Sequence, residues 1–304
     1  MTILPPKWTL DQLDKEAAFA LEQFRDGRAT EPLELYLELF ESSRIDVEEA
    51  LEATLDLQLI RDDAKSMFAQ KRYRDVIRYL AGPPISDDDL RNLAGKSAFA
   101  EAAKGNQNSA ERVLETLWPT LDRRRFPWVS ENREPTEMER HAAVIATTAM
   151  IATQRAQTAR RNAAKVLQEE KVKNVLRDIG FEEIEPHTIS TPRRAPKPGQ
   201  FCGESMFVGK KADVVVGLWD ERVMAIECKT SNSKVNSYKR VNHEAGGKAT
   251  HWITQFGQSL VVPAVAIAGV FSAQNLLDAQ HAGLTIWWSH ALEEMAAFVE
   301  STQP

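Results

Sequence analysis

Residues 211–230 read KADVVVGLWDERVMAIECKT. Two valine-rich or apolar runs flank a short polar turn, Asp220-Glu221-Arg222, which is the pattern of two strands joined as a hairpin. Successive side chains of a strand alternate faces, so Met224, Ile226 and Cys228 point one way and Ala225, Glu227 and Lys229 the other. The first set suits a core. The second brings a carboxylate and an ammonium to one side, roughly 7 Å apart at a rise of about 3.3 Å per residue. Asp213 opens the partner run, and folding the hairpin back can set it beside Glu227.

Two converging carboxylates suit a hard divalent cation such as Mg²⁺, which takes one or two carboxylates and keeps several waters. Such an ion offsets charge on a transferring phosphoryl group and lowers the pKa of a bound water. In that arrangement Asp213 and Glu227 are the ligands, the backbone carbonyl of Cys228 completes the shell, and Lys229 orients the water or takes its proton. The expected chemistry is phosphodiester hydrolysis. The bare triplet of acid, any residue and lysine is common, and recurs at Asp63-Ala64-Lys65 and Glu169-Glu170-Lys171 in helical surroundings, where it reads as surface charge. An apolar strand before it and an aspartate on the partner strand distinguish the Glu227 copy.

The stretch that follows, TSNSKVNSYKRVNHEAGGKATHW, carries Lys234, Lys239, Arg240 and Lys248 among short polar side chains. Ser and Asn reach phosphate oxygens or base edges, Arg pairs with guanine and Lys meets phosphates. Ser231, Asn232, Ser233, Lys234, Asn236, Ser237, Lys239, Arg240 and Asn242 are therefore the candidate DNA contacts, against the plainer reading of a solvated surface. Beyond it, LVVPAVAIAGVF is apolar enough for a central buried strand, SAQNLLDAQHAG reads as a helix, LTIWWSH as a strand and ALEEMAAFVEST as a closing helix.

Upstream of residue 180 the chain reads as helical. Thr9 is placed as an N-cap, Gly82-Pro83-Pro84 breaks the pattern, and a long helical stretch runs from about Thr136 to near Gly180. Residues 185–200, EPHTISTPRRAPKPGQ, hold four prolines and read as an irregular loop. The expected fold is α/β, a mixed sheet flanked by helices over residues 151–304, behind an all-helical N-terminal domain over 1–150 that grips DNA or forms a dimer.

A composition 43% hydrophobic and 27% charged is that of a folded soluble chain. No apolar run approaches the roughly 18 residues that cross a bilayer. The start, MTILPPKWTLDQLDKE, does not read as a signal peptide. Two cysteines are too few for a disulfide framework, and a cytoplasmic location is the expectation. The net charge of −6 divides into −8 over residues 1–150 and +2 over 151–304, so overall acidity does not exclude a local basic surface. No G-x-S-x-G or G-x-G-x-x-G occurs, and AGGKAT lacks the first glycine and the Ser/Thr of a phosphate loop.

Residues 210–252, KKADVVVGLWDERVMAIECKTSNSKVNSYKRVNHEAGGKATHW, resemble the catalytic segment of PD-(D/E)XK nucleases, and within them the XamI-type family of type II restriction endonucleases. Asp213, Glu227 and Lys229 stand at the three motif positions, and SNSKVNSYKR matches the polar run that follows the lysine in that family. The similarity is strongest over 203–257 and extends more weakly into the helical front, including PPKWTLDQLD. Ala212 stands where the superfamily pattern has a proline. The resemblance implies a Mg²⁺-dependent homodimer that cuts both strands of a short palindrome, with GTCGAC as the candidate site, and a cognate DNA methyltransferase as functional counterpart. Nucleases of this kind often add an acid from the first core helix. Glu169 fits that role, lying three residues before Val172 at the edge of an apolar helical face, and Glu204 is its rival. A repair or recombination nuclease of the same fold, or a silent DNA-binding protein, are the alternative functions.

Overall fold

The computed structural model describes residues 3–29 and 33–304. They form two compact units, residues 32–160 and residues 1–31 together with 161–304.

The first is all-helical: α2 (Leu33–Ala53), α3 (Ala64–Ala69), α4 (Lys71–Arg78), α5 (Asp87–Ala94), α6 (Lys96–Ala103), α7 (Gln107–Leu117) and α8 (Pro127–Glu131). With them goes the N-terminal part of a 42-residue helix, α9 (Glu137–Asp178). Their shared core includes Leu51, Phe68, Ile77, Leu114, Trp128 and Val144. α9 starts at a capping box. The Thr136 hydroxyl accepts from the Glu139 amide at 3.3 Å, and the Glu139 carboxylate accepts from the Thr136 amide at 2.8 Å. It stops at Gly180, whose φ of +86° lets the Phe181 amide turn back to the Leu176 carbonyl at 2.9 Å.

The second unit is built on a six-stranded mixed sheet, β1 (Glu182–Ile184), β2 (Gln200–Cys202), β5 (Val214–Gly217), β6 (Val223–Ser231), β7 (Val261–Gly269) and β8 (Thr285–Trp288), in spatial order β1-β2-β5-β6-β7-β8. A separate ribbon pairs β3 (Ser205–Phe207) with β4 (Lys210–Ala212). β5 and β6 form the antiparallel hairpin expected from their alternation, with Val214 opposite Ile226. β6, β7 and β8 run parallel, joined by helical crossovers as parallel strands require. The first crossover holds α10 (Lys234–Tyr238), a π-helical turn over Lys239–Ala245 and α11 (Gly246–Phe256), and the second holds α12 (Ala273–His281).

Strand alternation divides the sheet's core. Val214, Val216, Met224, Ile226 and Cys228 meet Val172 and Leu176 of α9 and Met295 and Phe298 of α13 (Glu293–Ser301) on one face. Val265, Ile267, Ile286 and Trp288 meet α12 and α1 (Leu10–Ala29) on the other. With both faces covered, Trp287 and Trp288 are both fully buried, although they point in opposite directions.

The first helix therefore belongs with the sheet, and the division at residue 150 expected from the sequence is displaced at both ends. The reason is tertiary packing. Thr9 caps α1 through a reciprocal bond with Gln12, and Leu13, Ala17 and Ala20 lie against the sheet-face cluster. Trp8 is locked beside them, its indole donating to the Ile286 carbonyl at 3.0 Å and its backbone exchanging two bonds with the Gln280 amide at 2.9 Å. No helix among the described residues is long and apolar enough to cross a membrane.

Gly269 closes β7 beside Ser231, with φ +92°, and a Cβ there would stand 2.3 Å from the Ser231 carbonyl oxygen. Both the backbone conformation and the close approach exclude a side chain. Gly269→Ala is expected to cost about 3 kcal/mol of stability, read as a lowered midpoint in urea denaturation.

Candidate active site

The site forms where β5 and β6 part. Continuing their register past Val214 and Ile226 sets Asp213 opposite Glu227. The Asp213 amide still donates to the Ile226 carbonyl at 3.0 Å. The next rung is different, because the Cys228 amide donates to Asp213 Oδ2 at 2.7 Å. A side-chain carboxylate thus replaces a backbone acceptor, and the chain before it leaves for the β3–β4 ribbon. Asp213 is 5% exposed and Glu227 fully buried, so each needs partners of opposite charge or hydrogen-bond donors.

Lysines supply them. Lys229 Nζ lies 2.7 Å from Glu227 Oε2, and Lys248 Nζ, from the first turn of α11, lies 2.5 Å from Oε1. Lys248 also donates to the Lys211 carbonyl at 2.6 Å. On α9, Lys165 Nζ stands 3.2 Å from Glu169, 3.5 Å from Glu204 and 3.6 Å from Asp213. Both candidate extra acids therefore meet Asp213 at one ammonium. Glu169 is the more enclosed, whereas Glu204 is half-exposed and is held by Lys211 at 2.6 Å. The other acid of that helix pair, Glu170, turns away to Lys173 and Arg177.

The titration shifts follow this geometry. Burial, together with the neighbouring Asp213 charge, pushes the Glu169 carboxyl up, and the Lys165 contact only partly offsets it. For Lys229 burial works against the charged form, but the Glu227 carboxylate outweighs it and the pKa is raised. Lys165 is raised for the same balance, burial opposing and Asp213 and Glu169 prevailing. The hydrogen bond from Lys211 draws Glu204 down. Burial drives the Cys228 thiol well up, with the surrounding carboxylates adding to it, so that side chain is a neutral member of the apolar cluster rather than a thiolate ligand.

These residues fit a hard cation. The donors at the fork are carboxylate oxygens, and the one sulfur nearby faces the core. Among the described residues no group of three or more His, Cys, Asp and Glu side chains is gathered as a metal cage. An ion at Asp213 and Glu227 would keep open positions for water and phosphate, which is the habit of Mg²⁺.

The family model for XamI restriction endonucleases matches residues 58–288, a span that includes most of each unit and every group just described. The type II restriction enzyme XamI of Xanthomonas campestris pv. amaranthicola is 41% identical over 266 residues, covering 86% of this chain and 97% of that protein. The chain belongs to the XamI restriction endonuclease family. No solved structure matches it.

In this XamI-family chain the polar run after Lys229 divides by burial. Asn232, Lys234, Asn236 and Lys239 are exposed on and around α10, and Ser233, Arg240 and Asn242 are half-buried. Ser233 caps α10 by accepting from the Asn236 amide. Ser231 and Ser237 are turned inward, their hydroxyls spent on the Ser233 and Lys234 carbonyls. Trp252 is fully buried, and His251 is held on the Val208 carbonyl at 2.7 Å.

Three side chains of this family member's site carry no assignment from sequence. Lys248 stands out there only as one cation among four. Lys165 is legible in retrospect, because 165, 169, 172 and 176 share a helical face. Gln168 gives no signal, yet it is buried and its amide ties the ends of two strands, donating to the Ala266 carbonyl at 2.7 Å and the Lys229 carbonyl at 3.3 Å.

Proposed function

We propose that this restriction endonuclease cuts both strands of a short palindromic DNA site by Mg²⁺-dependent phosphodiester hydrolysis at Asp213, Glu227 and Lys229. The observation that carries the reading is the fork itself, where Asp213, just before β5, stands at the register position facing Glu227 of β6, which has Lys229 beside it. Asp213 and Glu227, with the Cys228 carbonyl, would hold the ion. When bound, it would offset charge on the scissile phosphate and favour ionisation of an attacking water.

The chain's own groups do the rest. Lys229, paired with Glu227 at 2.7 Å, would orient the water or take its proton while facing a phosphate oxygen. Glu169, its carboxyl pushed up by burial and by Asp213, is the better candidate for the additional acid, with Glu204 at the rim. Asn232, Lys234, Asn236 and Lys239, exposed on and around α10, would meet DNA, Lys on phosphates and Asn on base edges, with the half-buried Ser233, Arg240 and Asn242 behind them. Ser231 and Ser237 act by shaping that segment. GTCGAC is the first site to try. A homodimer matches a palindrome by symmetry, one fork per strand, and the helical unit contributes grip or dimer contacts. A cognate methyltransferase would protect the host's own sites.

The test separates binding from cutting. With Mg²⁺ the protein is expected to convert plasmid carrying the site to discrete linear fragments. With Ca²⁺ it should retard a duplex of that sequence in a gel and leave it intact. Cleavage undiminished by removal of divalent ions would sink the metal reading.

A further inference from the structure

Glu227 holds two ammoniums, one on each carboxylate oxygen, and its side chain is 1% exposed. Lys229 comes from the same strand and is tied to the fork by its own backbone, whose carbonyl is held by Gln168. Lys248 comes from a different element, on a four-carbon stem at the start of α11. Its side chain is 24% exposed, against 17% for Lys229. It follows Gly246 and Gly247, and a Cβ on Gly247 would meet open space. Its second acceptor, the Lys211 carbonyl, lies in the β3–β4 ribbon and gives it an anchor that does not depend on Glu227.

A divalent ion arriving at a buried carboxylate oxygen repels an ammonium already seated on it, so the two compete for Glu227. Two carboxylates at the fork, Asp213 and Glu227, are met by three ammoniums, Lys165, Lys229 and Lys248. Ammoniums thus already occupy the fork's carboxylates before any ion arrives, and Glu169, Glu204 and Glu244 at its edges share two of the same lysines. We propose that Lys248 is a resident counter-ion of Glu227 which a divalent cation must displace, so that Lys248 sets how readily the free protein takes up the ion. The proposal rests on Asp213 and Glu227 being the ion's ligands. It gives the lysine a positioning role with two states. On Glu227 it holds the buried carboxylate in place. Released, it keeps its bond to the Lys211 carbonyl and turns its charge to the mouth of the fork, where a DNA phosphate would meet it. The incoming phosphate then compensates the charge that the ion adds, so ion uptake and DNA binding reinforce one another, each by the same factor.

The experiment is calorimetric titration of the full-length protein with Mg²⁺ alone and Ca²⁺ alone, without DNA, for the wild type, Lys248→Met and Glu227→Gln. Lys248→Met keeps the stem's bulk and removes the charge. It is expected to bind both ions about tenfold or more tightly than the wild type, the scale on which one adjacent charge shifts a carboxylate's equilibrium. Glu227→Gln should lose the binding. Equal or weaker binding by Lys248→Met, with binding still lost in Glu227→Gln, overturns the proposal and leaves the ligand assignment standing. Binding unchanged in Glu227→Gln overturns the ligand assignment instead. Because a variant at a buried pair can fail to fold, the wild type supplies a second readout. Acylation of its lysines by an amine-reactive ester, mapped by mass spectrometry, should find Lys248 protected without an ion and several-fold faster in Ca²⁺. Protection that Ca²⁺ does not relieve contradicts displacement.

Discussion

Asp213→Asn is expected to abolish cleavage while leaving a folded, DNA-binding protein. Asp213 has two jobs that the substitution separates. Its Oδ2 accepts the Cys228 amide at 2.7 Å, and an asparagine oxygen can accept the same bond. Its charge faces Lys165 at 3.6 Å and, in the proposed mechanism, the metal ion. Lys165 is half-exposed, so loss of that pairing is screened and costs about 1 kcal/mol or less. Loss of a ligand carboxylate removes several kcal/mol of transition-state stabilisation, about a thousandfold or more in rate. Single-turnover cleavage of a duplex beside a Ca²⁺ gel-shift and a thermal melt would show the three effects apart. An Asp213→Asn protein that cuts within tenfold of the wild type would remove Asp213 from the mechanism.

Glu227→Gln is expected to damage both activity and stability, and the difference from Asp213 is a matter of burial. Glu227 is enclosed and neutralises two ammoniums that are themselves mostly buried. Removing its charge leaves Lys229 with only the more exposed Glu244 at 4.0 Å and Lys248 with only the Lys211 carbonyl. Breaking a buried pair from one side costs about 3 kcal/mol at the lower end, appropriate where the lysines retain some contact with water. Cleavage should fall about a thousandfold, as for Asp213. Adding Lys248→Met should recover part of the lost stability in urea denaturation without recovering cleavage, because it removes one unpaired charge and restores no ligand. Such coupling is what a double-mutant cycle measures. A double variant no more stable than Glu227→Gln alone would mean that Lys248 and Glu227 do not share a buried charge balance.

The fork was legible because its physics is local. Alternation along 213–229 separates core from site residues, and the hairpin register that sets Asp213 opposite Glu227 follows from the length of the turn. The apolar run of β7 and the caps of α1 and α9 follow from the same kind of short-range pattern. Beyond that range legibility ends. A helix with Leu13, Ala17 and Ala20 on one stripe shows that it packs but not on what, so its place on the sheet was out of reach. The three-residue strands β1 to β4 are too short to display a period, and the prolines of 185–200 mask the two that flank them. Lys165 and Lys248 stand 48 residues before and 35 residues after Asp213, and only tertiary folding brings their charges to the fork. Short polar residues gave the weakest signal, since Ser231 and Ser237 look like DNA contacts by type but complete local hydrogen bonds instead.

The most direct test of the mechanism is digestion of a mixed-sequence plasmid library with Mg²⁺, wild type beside Lys229→Ala, followed by sequencing of the ends. Discrete ends at one palindrome with the wild type, and none with Lys229→Ala, are the predicted result. Ends that share no sequence, or identical cutting by both proteins, would contradict it, the first by removing site specificity and the second by removing the fork from the chemistry.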